Sequence, residues 1–213
     1  MPINLENREY RNMRIAVRAP QDGDNEQRIV TGYASTFNEP YLLYKGRGWQ
    51  YWEVVDEGAF DNTDISDVIM QYDHQGRVFA RTRNKTLEVG ADDKGLRITA
   101  DLGGTEIGRE LYEEIAGGYT DRMSFGFTVA ADYEEEREDE NGIWIYTRHI
   151  TAVGKLYDVS AVSLPANDGT SIEADATSRS VRNLTDGVIE RIQAERLEAK
   201  RLETLKRLTL DRL

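Results

Sequence analysis

The sequence predicts a mainly β protein with α elements, an α+β fold, carrying a helical tail at its C-terminal end. Three observations predict it. Short apolar runs with two-residue alternation recur through the first 164 residues, and clusters of Gly, Asn and Asp punctuate them. From about residue 186 the composition turns to Glu, Arg, Lys, Leu and Ala without proline, all strong helix formers. The chain has 213 residues, enough for one domain of about 150–200 residues with an appendage.

Strands are expected at residues 13–18, 28–36, 49–55, 68–72, 86–89, 96–102, 123–131, 143–152 and 156–164. Asp92-Asp93-Lys94-Gly95 supplies turn chemistry between two of them. Asn141-Gly142 closes a further hairpin after the acidic run 134–140, which reads as a solvated loop. Strands this closely spaced point to a barrel or a sandwich. One internal helix is well marked: Thr105 can cap it, Ile107, Leu111 and Ile115 recur every four residues, and Gly117-Gly118 offers a left-handed stop. It is expected to pack across the sheet.

In the tail, Leu184, Val188, Ile192, Ala199 and Leu202 fall on one face, whereas Leu197, Leu205 and Leu208 fall on another. No heptad is sustained, so an amphipathic helix is expected in place of a coiled coil. Residues 167–180, rich in Ser, Thr, Asp and Ala, read as a linker open to cleavage. The domain reading is a body over 1–175 and a linker with helical tail over 176–213.

Charge and composition exclude several function classes. The net charge is −12, divided into −15 on residues 1–175 and +3 on residues 176–213. An acidic body is a poor surface for nucleic acid, whose binding draws on clustered Lys and Arg. No run approaches the roughly 18 apolar residues of a spanning helix, and the first ten residues lack a signal pattern, so the expectation is a soluble, unexported protein without a membrane partner. With no Cys, disulfides, thiolate metal sites and a Cys nucleophile are excluded, and His74 and His149 are the only imidazoles. There is no phosphate loop or dinucleotide fingerprint, and the acidic run lacks the alternation of a calcium loop, so neither cofactor nor metal is expected.

Four residues are candidates for chemistry. In 121–129, Met123, Phe125, Phe127 and Val129 alternate with Ser124, Gly126 and Thr128, so a strand here buries the bulky face and leaves the Ser124 hydroxyl on a bare one where a peptide could approach. The plainer reading is a small residue packed on a neighbour. His74 ends an apolar strand that runs into a polar turn, a position from which a general base can be presented; the plainer reading is a solvated turn residue. His149 alternates with Ile150 and faces solvent from a strand. Asp158 interrupts an apolar strand, and a carboxylate there needs a donor, either an imidazole N–H or a cap or Arg partner.

Read together, GYASTF at 32–37, EGAF at 57–60, YDHQ at 72–75, KGL at 94–96, RMSFGF at 122–127 and LYDVSAVSLPAN at 156–167 resemble, in this order, the prohead (procapsid maturation) protease family of tailed bacteriophages. The resemblance spans about residues 13–175. It implies an assemblin-like β-barrel with surrounding helices, related to herpesvirus assemblin, and a serine endopeptidase working without a cofactor. Carried over by position, Ser124 is the nucleophile, His74 the general base and Asp158 the third member. There the chain departs from the family, which more often has Glu, and since assemblin-type enzymes use a second His, His149 is the alternative. The oxyanion donors are not identified, with the loop after Leu164 the candidate.

The resemblance further implies cleavage of the scaffolding region of the major capsid protein, and of the protease itself, inside the procapsid in the host cytoplasm. The tail would then recruit the enzyme to the scaffold and be removed by self-cleavage, in the linker 167–180 or within the tail; the plainer reading is a helix that packs on the barrel or mediates dimerisation. A competing reading from another class is a non-catalytic assembly or scaffold protein on the same barrel.

Overall fold

A computed structural model describes residues 8–13 and 28–163, together with Gly187, Glu190, Arg191, Ala194, Glu198 and Arg201. The chain divides into two units, Met1–Thr177 and Ser178–Leu213. In chain order the first contains β1 (Glu9–Met13), β2 (Ile29–Thr36), β3 (Tyr41–Gly46), β4 (Trp49–Val55), β5 (Ile69–Tyr72), β6 (Gln75–Arg81), a 3-10 turn (Thr82–Asn84), β7 (Leu87–Ala91), β8 (Gly95–Asp101), α1 (Glu106–Ala116), β9 (Arg122–Glu138) and β10 (Trp144–Val162).

Two sheets share one core. The larger has the order β1-β9-β10-β4-β3, with β5 on β10 and β6 on β5; the smaller is β2-β8-β7. β10 organises the larger sheet. It is antiparallel to β9 along its length, parallel to β4 from Trp144 to Ile150, and parallel to β5 from Asp158 to Ala161. Register shifts between Ile150 and Asp158 bend the strand so that successive segments meet different partners.

The mainly β reading with α1 holds, but the expected barrel does not. A barrel needs one ladder closed on itself, and among the described residues β2-β8-β7 makes no ladder with the larger sheet. The sheets meet through side chains instead. Met123, Phe125 and Phe127 of β9 lie in the core with Val30, Ala34 and Ile98 from the smaller sheet and Leu111 and Ile115 from α1. Phe125 and Phe127 stack with ring centroids 4.5 Å apart. Burying side chains of this size contributes about 1.5–3 kcal/mol each. The surrounding helices reduce, among the described residues of this unit, to α1.

That helix follows its sequence signals. The Thr105 hydroxyl accepts the Gly108 N–H, and the buried face is Gly108, Leu111 and Ile115. The left-handed stop falls on Gly118, at φ 75°, and not on Gly117.

Other elements differ from expectation. β1 occupies 9–13, while 14–18 lie outside the described residues. β3 and β6 carry weak sequence signals and owe their strand state to hairpin pairing with β4 and β5. The acidic run is no loop: Glu134, Glu135, Glu136 and Glu138 extend β9 with exposed side chains, paired to β10 across a turn at Asp139–Ile143. Glu disfavours strands only weakly, and here both faces of β9 are in water from residue 130 to 138. Residues 143–152 and 156–164, read as two strands, are one continuous β10 to Val162 that passes Gly154 by bulging.

In the second unit the described positions are helical and exposed. The linker at 167–180 and the apolar tail positions Leu184, Val188, Ile192, Leu197, Ala199, Leu202, Leu205 and Leu208 lie outside the described residues.

Candidate active site

Three strands position the candidate residues. Residues directly paired across a ladder share a face, and β9 and β10 set Ser124 opposite Ser160 and Gly126 opposite Asp158. On the other side of β10, β5 brings Tyr72 opposite Ala161. The chain then reverses through Asp73 and His74 alone, with Tyr72 paired to Gln75. Both residues are left-handed, at φ 50° and 56°. This is the two-residue hairpin turn that Gly and Asn usually fill, with Asp and His among the better tolerated substitutes.

Such backbone states cost about 1–3 kcal/mol each and persist where the surroundings hold them. Here Asp73 does the holding. Its N–H donates to the Ala161 carbonyl at 2.9 Å, and its carboxylate accepts the Ser163 N–H and hydroxyl, each at 2.9 Å. The hairpin tip is thereby clamped to the end of β10.

From that tip the His74 ring reaches both Asp158 and Ser124. Nδ1 lies 2.5 Å from Asp158 Oδ1 and Nε2 lies 2.6 Å from Ser124 Oγ. Asp158 is buried, and the same Oδ1 accepts the Ser160 hydroxyl at 2.9 Å. A buried carboxylate without donors would cost several kcal/mol; two donors remove that objection. The short Asp side chain reaches the ring because the residue opposite is Gly126, where a Cβ would collide with Asp158 Oδ2 and the Tyr10 ring. With Nδ1–H donated to Asp158, Nε2 is left to accept a proton from Ser124.

Ser124 itself is not on an open face, contrary to the alternation argument. It is 0% exposed. β1 lies against β9, the Tyr10 ring meets His74 edge-on at 4.5 Å, and the Ser124 hydroxyl has a second acceptor, the Arg11 carbonyl, at 2.7 Å. A cleft of about 410 Å³ runs beside the hairpin, between Tyr72 and Gln75 on one side and Ile107 and Leu111 of α1 on the other.

His149 is elsewhere. Its Nδ1 faces Asp56 at 2.9 Å, Nε2 is 3.7 Å from Glu135, and Tyr133 stacks on the ring at 4.5 Å. The loop after Leu164 lies outside the described residues. Among the described residues no cluster of three or more His, Asp or Glu is arranged to hold a metal ion, and no helix is long and apolar enough to cross a membrane.

Sequence reasoning missed a buried ionic cluster beside Ser124. Arg11 donates to both oxygens of Glu53 and to Glu9. Arg148 donates to Glu9 at 2.8 and 3.1 Å, to Glu53 at 3.0 Å and to Asp132 at 2.5 Å, and the Tyr41 hydroxyl also donates to Glu53. Burial works against the Arg11 cation, but Glu53 and Glu9 outweigh it and hold its pKa above the ordinary guanidinium range. Burial, reinforced by the Glu53 charge, pushes the Tyr41 hydroxyl well up. The available signal was a charge at inward positions of two apolar strands, Glu53 in β4 and Arg148 in β10.

A serine hydroxyl, an imidazole and a carboxylate in one hydrogen-bonded line on a β scaffold are the working parts of a serine hydrolase. The profile of the caudovirus prohead serine protease family matches residues 13–186, and the chain belongs to that family. Membership assigns it to the serine peptidases of phage capsid maturation. No curated protein and no solved structure matches the chain.

Proposed function

We infer that Ser124, His74 and Asp158 are the catalytic triad of an endopeptidase that cleaves the scaffolding region of the major capsid protein, and itself, inside the procapsid. The observation that carries this reading is the unbroken line from Asp158 Oδ1 through the His74 ring to Ser124 Oγ, at 2.5 and 2.6 Å. Both spans are within reach for proton transfer.

His74 takes the Ser124 proton as Oγ attacks the scissile carbonyl, and returns it to the leaving amine. Asp158 keeps the ring in the tautomer that accepts at Nε2 and stabilises the cation formed; Ser160 helps to hold that carboxylate. Water then hydrolyses the acyl-enzyme. Asp73 is a positioning residue, acting through the turn that presents His74. The proposed kinship with herpesvirus assemblin rests on the sequence motifs and on a Ser from β9 and a His from the β5–β6 turn meeting across β10.

The unit over 178–213, with its helical positions and basic charge, is the proposed recruiting segment, and the linker at 167–180 or the tail itself the site of self-cleavage. Deleting 181–213 should lower the number of protease copies per procapsid, and unchanged packaging would sink that part. For the activity, the chain is co-expressed with its capsid protein and intact masses are compared with Ser124→Ala. Processing lost in the variant supports the reading; full-length products in both mean a non-catalytic assembly role.

A further inference from the structure

An endopeptidase must admit an extended chain to its nucleophile, and extended chains usually bind by adding a strand to a free sheet edge. At this site the edge is taken. β1 is the outermost strand of the larger sheet, antiparallel to β9 from Glu9 opposite Phe127 to Met13 opposite Met123. Asn12 lies opposite Ser124, the Arg11 carbonyl accepts the Ser124 hydroxyl, and Tyr10 packs over Gly126 and against His74. With Ser124 fully buried, no second carbonyl reaches it while β1 stays. The hydroxyl also has one proton and two acceptors, His74 Nε2 and the Arg11 carbonyl. Donating to the carbonyl leaves Oγ unactivated.

The residue whose carbonyl meets Ser124 is an arginine, and its side chain fills a built pocket. Arg11 is 2% and Glu53 0% exposed, and the guanidinium spans both carboxylate oxygens, the two-pronged contact that suits Arg better than Lys. The Phe127 ring lies under the cation, 5.6 Å away. The pocket does not need β1 in order to exist. Glu53 keeps Arg148 and Tyr41 as partners, and β1 takes Glu9 and Arg11 away together. What remains is Glu53 and Asp132 against Arg148, one negative charge in excess.

We propose that β1 stands in the place of substrate: it keeps the enzyme latent while docked, and the pocket it fills makes Glu53 the residue that selects a basic side chain, Arg above Lys, immediately before the cleaved bond. This rests on the peptidase reading above. In the cleavage, Ser124 Oγ bonds to the carbonyl carbon of the basic residue and the bond to the next nitrogen breaks. The Ser124 proton passes through His74 to that nitrogen, and water releases the new carboxylate.

The test uses the purified full chain, Arg11→Gln and Glu53→Gln, with a fluorophosphonate as probe of Ser124 and a pool of synthetic peptides as substrate. Loosening β1 through Arg11→Gln should speed Ser124 labelling at least tenfold. Products of the unmodified chain should end in Arg or Lys. Glu53→Gln should lower the ratio of kcat/KM for an Arg peptide over its norleucine analogue at least tenfold. Labelling of a natively melting Arg11→Gln at the unmodified rate, or products without basic ends, overturns this inference alone. The product measurement needs no variant, so a misfolded Glu53→Gln leaves the selection claim testable. If Ser124 is labelled in no chain and no peptide is cut, the peptidase reading falls and this inference with it.

Discussion

Gly126 and Asp158 face each other across β9 and β10, and the carboxylate of one occupies the space that the other leaves empty. A Cβ at position 126 would meet Asp158 Oδ2 and come within 2.7 Å of the Tyr10 ring. Gly126→Ala should therefore push the carboxylate off the His74 ring. Misplacement of a catalytic group by about 1 Å can cost on the order of 100-fold in rate, and kcat for peptide cleavage should fall by about that factor. Retained kcat in a natively folded Gly126→Ala would show that Asp158 does not orient the imidazole.

Asp73 holds a left-handed turn closed on β10, so Asp73→Ala should act on His74 at a distance. We expect kcat to fall about tenfold with KM little changed, and stability to fall by about 1–2 kcal/mol from lost hydrogen bonds and an ill-suited φ. Asp73→Asn, which tolerates the turn and keeps one acceptor, should recover part of kcat. Equal defects in the two variants would assign Asp73 to folding alone.

The Glu9 carboxylate helps to tie β1 down by accepting from Arg148 of β10. Burial raises its pKa, but the Arg11 and Arg148 charges and their hydrogen bonds outweigh burial and hold it below the ordinary 4.5. A carboxylate depressed in the folded state adds stability above its unfolded value, and that stability is lost as pH falls through the depressed one. The stability difference between the unmodified chain and Glu9→Gln should be constant above pH 4.5 and shrink below it. Denaturant melts across that range check this, and a difference that does not change with pH contradicts it.

Thr105 caps α1 through the Gly108 N–H. Thr105→Ala should cost about 1 kcal/mol. In a chain of this size that lowers Tm by about 2–4 °C, with kcat unchanged. A larger kcat effect would mean that α1 shapes the cleft beside His74 more tightly than its cap alone requires.

What was legible in the sequence is what is decided locally. Thr105, the four-residue spacing of α1 and the Asp92 turn, whose carboxylate accepts the Lys94 and Gly95 N–H groups, each act within a few residues. So does the burial of Met123, Phe125 and Phe127. Ser124, His74 and Asp158 were found as candidates through short motifs, but their hydrogen-bonded line joins residues 50 and 84 positions apart, which no local pattern encodes. Arg11 and Glu53, 42 apart, were invisible for the same reason. The inference that a bare strand face is an open one failed at Ser124, because alternation says which residues share a face and not what else covers it.

The most direct test of the central claim is to find which serine reacts. After long exposure to a fluorophosphonate, the unmodified chain and Arg11→Gln are digested and the adduct is located by tandem mass spectrometry. Ser160 and Ser163 lie close by as internal controls. One adduct is expected, on Ser124, abolished in His74→Gln. An adduct on Ser160 or Ser163, or none on either chain, would contradict it.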